Sequence, residues 1–326
     1  MNIQKNFIHL LVTVSLMVAA GYSHAVAYCS LRDPVRTIYE LFPEADNYRS
    51  NVQTVDRQAR RAVQEQLSFV MHFNELGRHT LYVAQQGDKV LGFVHARSEM
   101  TTSGLSELVW AVSTDMKIMG VRVQRSRDLQ LMRRDPVELG AGLVGKSLAQ
   151  LNDALQQAAP GSLDALVTAG AMKVLTITQS VWPLEVLGDS AAQVLADTFG
   201  AEAQLEPIMY LYDAAVRQRL AALEFTGSSI FVEDQVLGFK VLDQGGTPMG
   251  MIFKPTLNFD EVDDSLVWVV DSAGTTRRVS TTSDAIDAMS LDATVGLAPE
   301  SLEDCSNALE LGALELAVVT RSHTAL

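Results

Sequence analysis

Three histidines are the residues whose type and spacing come nearest to a metal site. His72, His79 and His95 fall on what the alternation of apolar residues predicts to be three successive strands. Histidines on neighbouring strands can meet at one metal ion or haem, because imidazole nitrogens are common ligands of both. The alternative is that they are ordinary strand histidines, since the cross-strand register does not follow from this sequence. We therefore predict no metal site.

Other familiar chemistry is poorly represented. The two cysteines, Cys29 and Cys305, are too few for a CxxC redox centre, an iron–sulfur site or a c-type haem attachment motif. A disulfide between them and two free thiols both stay open. The acidic segment from Asp260 to Asp264 lacks the glycine and spacing of a calcium-binding loop, so we predict a solvated turn. No nucleophile with its base, P-loop or dinucleotide fingerprint is evident, which leaves a hydrolase unsupported.

The elements that position these residues form a repeated pattern. The run LVWAV around Trp110 recurs as LVWVV around Trp268, and a glycine lies eighteen residues before each tryptophan, at Gly92 and Gly250. Earlier landmarks recur in the same order, namely the segments that begin at Phe42 and Phe199 and the segments Asp56–Leu67 and Asp213–Leu223. Landmarks that recur in one order at nearly constant spacing indicate a duplicated domain.

Each copy is predicted to contain helices, then a run of strands, then closing helices. In the first copy the predicted helices are Leu31–Phe42, Thr54–Leu67, Lys146–Ala158 and Ala171–Val181, and the predicted strands are Ser68–Asn74, Thr80–Gln85, Lys89–Arg97, the Trp110 strand and Lys117–Gln124. In the second copy the predicted helices are Ser190–Phe199, Tyr212–Leu223, Ser283–Met289 and Leu302–Val319, and the predicted strands are Ser229–Glu233, Val236–Leu242, Pro248–Lys254, Ser265–Asp271 and Thr275–Ser280. This order predicts an α+β protein with a mainly antiparallel sheet in each copy, flanked by helices.

The N-terminus predicts export. Lys5 precedes an apolar run from Phe7 to Ala20, and Ala25-Val26-Ala27 fits a small-x-small cleavage site. The run is shorter than the ~20 residues that a membrane span needs, so we expect a signal peptide over residues 1–27, cleaved near Ala27, rather than a retained anchor. The protein is then expected in the periplasm or outside the cell. The remainder divides into domains 28–182 and 183–326, and their short linker predicts a packed pair.

The charge balance limits the partners. The formal net charge is -14, which excludes nucleic acid as a partner and predicts no direct binding to an anionic membrane. Arginines nevertheless concentrate in two places, 57–61 and 122–134. They could orient the protein on a partner, or they could simply be a solvated surface.

Two glycine-containing motifs carry a resemblance to a known family. Gly140-Ala141-Gly142 follows the strand pair that runs from Val109 to Val123, and Ala169-Gly170-Ala171-Met172 opens the last predicted helix of the first copy. In this order, the stretch from Leu31 to Val181 resembles the periplasmic FMN-binding domain of the Rnf and Nqr electron-transport complexes and of NosR-type regulators. The second copy resembles a more distant member.

The resemblance implies a set of cofactor-binding residues. In the family, the final motif places a phosphate at a helix N-terminus, where free backbone N–H groups and the helix dipole favour an anion. Met172 stands where the family has a threonine that can be joined to FMN, so a covalent link cannot form there. Trp110 would form one wall of the site, although a core aromatic residue is the simpler interpretation. The implied residues are Trp110, Gly140, Gly142, Thr168, Gly170, Ala171 and Met172.

The resemblance also implies a function. We expect an exported FMN-binding-like protein that serves as an electron carrier, or as an accessory, in a membrane or periplasmic redox complex. It would bind FMN non-covalently or bind no cofactor, and it would not be an enzyme with a substrate of its own. The alternative is a cofactor-less interaction module that keeps the flavin-binding fold as a docking surface. Met172, and the lack of a Gly-Ala-Thr motif in the second copy, motivate this alternative.

Overall fold

Two five-stranded sheets organise the protein. The computed structural model describes residues 33–71, 77–188, 191–208, 218, 236–255, 266–280, 295–297 and 308–324. The first sheet consists of β1 (Asn47–Val55), β2 (Gly77–Gln86), β3 (Lys89–Thr101), β4 (Gly104–Val112) and β5 (Ile118–Ser126). The second consists of β6 (Gln204–Ile208), β7 (Leu237–Leu242), β8 (Pro248–Lys254), β9 (Val267–Asp271) and β10 (Thr276–Ser280). In both sheets, strands that are consecutive along the chain pair antiparallel.

Helices flank the sheets, so the predicted α+β class is confirmed. The helices of the first half of the chain are α1 (Val35–Leu41), α2 (Arg57–Glu65), α3 (Leu129–Arg133), α4 (Pro136–Ala141), α5 (Leu148–Gln157) and α6 (Leu163–Val181). The remaining described helices are α7 (Pro183–Leu187), α8 (Ala191–Phe199) and α9 (Ala308–Thr324). No helix in the described part of the chain is both long and apolar enough to span a bilayer.

The first sheet is covered on both faces. Alternate residues of β3 point to opposite faces. On one face lies Gly92, where an added Cβ would come within 2.7 Å of the ring of Phe42, just after α1. On the other face Trp110 is fully buried beneath α6, and an added Cβ on Gly170 of that helix would lie 2.9 Å from the indole. Glycine at both positions thus permits close packing.

The second sheet repeats these contacts. An added Cβ on Gly250 would lie 2.9 Å from the ring of Phe199, the last residue of α8. Trp268 is fully buried in a separate apolar cluster with Leu316 and Ala317 of α9. The pairing register also shifts at corresponding places, after Ala84 in the first sheet and after Val241 in the second. This arrangement is compatible with the predicted duplication.

A shared core joins the two sheets. Phe239, Val241 and Ile252 of the second sheet belong to the same apolar cluster as Trp110 and the residues beneath α6. At the same seam, the Nζ atom of Lys254 donates to the carbonyl oxygen of Val186 at 2.8 Å and to that of Thr114 at 3.0 Å. All these elements lie in one compact unit, Pro34–Leu326. The boundary at residue 182 stays a prediction.

Several predicted elements differ from the structure. The last helix of the first half begins at Leu163, not at Ala171, because the Ser162 hydroxyl accepts the N–H of Ala165 at 3.1 Å and caps an earlier start. The strand predicted from Ser68 is absent over residues 68–71. The first strand of each sheet along the chain, β1 and β6, was not predicted, because both are edge strands without a regular alternation of buried apolar residues. The short helices α3, α4 and α7 were not predicted either.

Other predictions fall outside the described residues. They are the signal peptide, His72, Cys29, Cys305, the acidic segment Asp260–Asp264, the strand Ser229–Glu233, the helix Ser283–Met289 and, apart from Gln218, the helix Tyr212–Leu223.

Candidate functional site beneath the long helix

The residues implied by the flavin resemblance are mostly buried. Trp110, Gly140, Thr168, Gly170, Ala171 and Met172 are all buried, and Gly142 alone among the seven is exposed. The structure also separates the two glycine motifs. Helix α4, which ends beside Gly142, packs on β5, whereas α6, which contains Gly170, packs on β3 and β4. The two motifs therefore lie over different strands of the sheet.

The helix start matters for phosphate binding. Gly170 lies about two turns past Leu163, the first residue of α6. Only the first four N–H groups of an α-helix lack an intrahelical partner, so those of Gly170, Ala171 and Met172 are already used. The expectation that these residues open a helix is therefore wrong, and their N–H groups are not the free donors that phosphate binding at a helix N-terminus uses.

The space beside Gly170 is filled by protein. An added Cβ would lie 2.9 Å from Cζ2 of Trp110 and 3.5 Å from Oε1 of Glu99. The indole thus packs directly against the helix, and a flavin ring cannot lie between them. At Gly140 an added Cβ would be in ordinary van der Waals contact, 3.4 Å from Cγ1 of Val121. As placed, these residues do not fit FMN, and flavin binding by the chain stays a prediction.

Beneath α6 lies a set of polar side chains instead, which we call the buried polar row; four of its members are buried and His79 is half-buried. It contains His79 of β2, His95, Arg97 and Glu99 of β3, and Lys173 of α6. Residues 95, 97 and 99 share one face of β3 because side chains alternate along a strand. The sequence analysis missed Arg97, Glu99 and Lys173, although charged residues at every second position of an apolar strand were a usable signal.

The ionic part of the row is centred on Glu99. Its Oε2 atom accepts a hydrogen bond from Lys173 Nζ at 2.5 Å, and its Oε1 atom lies 3.6 Å from Arg97 Nε. All three side chains are almost fully buried. Burial lowers the pKa of Lys173, and the neighbouring carboxylate of Glu99 partly opposes that change. One carboxylate thus holds two cations in a region of low dielectric.

The histidine part of the row is a close pair. Nδ1 of His79 lies 3.4 Å from Nε2 of His95, and the His95 ring contacts the Trp182 indole edge to face, with 5.6 Å between centroids. Burial lowers the pKa of His79 to about 4 and that of His95, which also feels His79, to about 3. Both rings are therefore neutral at pH 7. Two of the three histidines considered as possible ligands, His79 and His95, thus lie side by side, and the described residues include no group of three or more metal-ligating side chains.

A polar cleft of about 400 Å³ lies elsewhere, between α2 and the edge strands β1 and β6. Gln53, Arg61, Ser180 and Glu206 are among its lining residues. Neither the residues of the buried polar row nor those implied by the flavin resemblance are in its described lining. The row is consequently an internal feature of the first half rather than the wall of this cleft.

Comparison with known protein families and curated sequences identifies no relative of this chain. No protein-family model matches the chain, and no curated protein matches its sequence. What the fold and site define is an α+β protein with two similarly built sheets and a polar row enclosed in one of them.

Proposed function

We propose that this protein is an exported interaction module of a membrane or periplasmic redox complex. It keeps the order of elements of a flavin-binding domain but does not use that fold to hold FMN. The observation that carries the proposal is the contact between Gly170 and Trp110, which closes the place where the resemblance puts the cofactor.

The buried polar row supports the same proposal. Lys173 of α6 pairs with Glu99 of β3 and so fixes the helix on the sheet, while the two histidines contact each other between β2 and β3. Met172 also favours a cofactor-less role, since it is fully enclosed and lacks the hydroxyl that the family uses.

An absorption spectrum tests the cofactor part. Protein isolated from its native compartment should show no flavin band, and neither the wild type nor Met172→Thr should take up added FMN, because the position is closed by packing rather than by one side chain. A flavin band that moves to the supernatant on acid precipitation would instead indicate a carrier of non-covalent FMN. Colour that stays in the pellet would mean a covalent link, which position 172 cannot make.

Cross-linking in intact cells tests the interaction part. We expect mass spectrometry to find cross-links from surface lysines of this chain to subunits of one redox complex. A chain that cross-links only to itself would contradict the docking role, whatever the spectrum shows.

A further inference from the structure

The polar cleft of about 400 Å³ beside α2 lies where both sheets have an open edge, and we call it the edge cleft. β1 pairs only with β2, and β6 pairs only with β7, so each of these strands has one edge without a strand partner in the described sheets. Backbone N–H and C=O groups along such an edge can pair with another extended chain.

The lining of the edge cleft borders strand edges rather than the face of a sheet. It includes two consecutive residues of β1, Gln53 and Thr54, and four consecutive residues of β6, Gln204–Pro207. Neighbouring side chains on a strand point to opposite faces, so a run of consecutive residues borders one space along the strand edge. Four residues of extended strand are about 10 Å long, which suits pairing with a short segment. Pro207 has no N–H group, so at this position β6 can only accept a hydrogen bond.

The charged side chains of the edge cleft are mostly carboxylates. Its described lining contains Asp56, Glu65 and Glu206 against one cation, Arg61. Asp56 caps α2, and its carboxylate accepts two backbone N–H groups at 2.8 and 2.9 Å. Glu65, Glu206 and Arg61 are exposed, and within the described residues no ion pair or side-chain hydrogen bond engages them. Uncommitted carboxylates thus lie on two walls of the cleft, α2 and β6.

The nearby cations do not neutralise these carboxylates by direct contact. Arg60 of α2 donates to the carbonyl oxygen of Met71 at 2.8 Å and is not among the described lining residues. Lys240 lies opposite Glu206 in the register of β6 and β7, but it is also outside the described lining and forms no ion pair with Glu206. The excess of negative charge in the cleft therefore remains open to a cation from outside the chain.

We infer that the edge cleft binds an extended segment of a partner protein that contains lysine or arginine. The backbone of the segment pairs with a strand edge, and its basic side chains meet the carboxylates of Glu65 and Glu206. The amides of Gln53 and Gln204 offer further donors and acceptors to the same backbone. A flavin or another ring-shaped ligand would more often be held by aromatic side chains, and the described lining contains none. An extended peptide therefore fits these walls better.

Docking at the edge cleft rests on the proposed interaction role, yet the two can fail separately. Binding of basic peptides by a chain that shows no cross-links to redox subunits would support the edge cleft and contradict the redox partner. Cross-links to a redox complex without any peptide binding would do the reverse.

A peptide array tests this binding. The chain from Tyr28 onward, the predicted mature form, is applied to random heptapeptides with blocked ends, so that only side chains carry charge. We expect the bound peptides to be enriched in lysine and arginine and depleted in aspartate and glutamate. In solution, a bound peptide that is N-methylated at alternate residues should bind more weakly by about tenfold or more, since each backbone hydrogen bond contributes about a factor of five.

Charge variants locate the bound peptide. Glu65→Lys/Glu206→Lys should weaken the binding of a basic peptide by about tenfold or more, because two attractive pairs become repulsive. Arg61→Gln should strengthen it by about twofold, because a repulsive charge is removed. Glu44→Lys/Asp153→Lys is the matched control, since both carboxylates are exposed outside the described lining and the change in charge is the same. It should bind within about twofold of the wild type, because distant charges are screened. Circular dichroism of each variant establishes that the fold is intact.

Four results would overturn the inference. They are no heptapeptide bound above an empty spot, enrichment of acidic peptides, equal binding of the N-methylated peptide, and binding that Glu65→Lys/Glu206→Lys leaves unchanged. Dimers in sedimentation that this double variant dissociates, without peptide binding, would also overturn it and assign the edge cleft to a second copy of the chain.

Discussion

Each of the two sheets packs one face against a long helix, but the side chains on that face are polar in the first sheet and apolar in the second. Beneath α6, β3 contributes His95, Arg97 and Glu99, whereas the face of β8 beneath α9 contributes Met251 and Phe253. The offset of 158 residues that relates Gly92 to Gly250 and Trp110 to Trp268 also relates His95 to Phe253. Apolar side chains are thus sufficient to hold a helix on such a sheet. The polar residues of the first half are an addition to the scaffold rather than a requirement of it.

Removing the central carboxylate should disturb the first half most. Glu99→Leu leaves Arg97 and Lys173 buried without the carboxylate that lies beside both. We expect a loss of about 3–5 kcal/mol in the free energy of unfolding, measured by urea denaturation, because uncompensated buried charge is costly. The triple variant Arg97→Leu/Glu99→Leu/Lys173→Met imitates the apolar second half and should recover most of the loss. A triple variant less stable than Glu99→Leu would show that the row is needed for the fold.

The glycines before the two tryptophans should respond alike. An added Cβ would lie 2.5 Å from the carbonyl oxygen of Val112 at Gly92, and 2.3 Å from that of Val270 at Gly250. Each Gly→Ala substitution should therefore destabilise by about 3 kcal/mol, at the upper end for overpacking, since backbone cannot easily move aside. Gly142→Ala, with no atom within 4 Å of the added Cβ, is the matched control and should be nearly neutral. Unequal losses at the two glycines would count against the structural equivalence of the two sheets.

The histidine pair should make the protein sensitive to acid. Burial lowers the pKa of His79 from 6.5 to about 4, so between these values the unfolded chain binds more protons than the folded one. Stability is then fully present above pH 6.5 and falls as the pH drops, by about 2 kcal/mol at pH 5 from His79 alone.

Replacing His95 by phenylalanine, the residue at the corresponding position 253 of the second half, should reduce this sensitivity to acid. His95→Phe removes the more deeply buried of the two imidazoles, whose pKa is also lowered by burial, so urea midpoints at pH 7, 6 and 5 should converge relative to the wild type. Parallel pH profiles for the two proteins would mean that the acid response originates elsewhere.

The main features of the fold were predictable from sequence because they rest on short-range patterns. The alternation around Trp110 and Trp268, and the glycines before them, correctly indicated paired strands. The edge strands β1 and β6 were not predictable, since edge strands need not bury alternate side chains, and β6 even contains Pro207. The start of α6 was misjudged because Gly170 was taken as a helix opening, whereas the Ser162 cap and Asp164 place it earlier.

The site was harder to predict than the fold. Its residues come from β2, β3 and α6, and which side chains meet depends on cross-strand register and on the face that the helix covers. Neither the cross-strand register nor the face covered by the helix can be read from the spacing of residues along the sequence. The glycine motif drew attention to Gly170. A glycine at the start of a helix can allow a phosphate to approach, whereas Gly170, inside α6, allows Trp110 to pack closely against the helix.

The core that the two sheets share has a consequence for how this chain can change over generations. Phe239, Val241 and Ile252 belong to one apolar cluster with residues of the other half, so a gene fragment that encodes one half alone would expose apolar surface to water. A substitution on one side of the seam must be matched on the other. The two halves are therefore expected to be inherited together, because recombination between them would separate residues that share one apolar core.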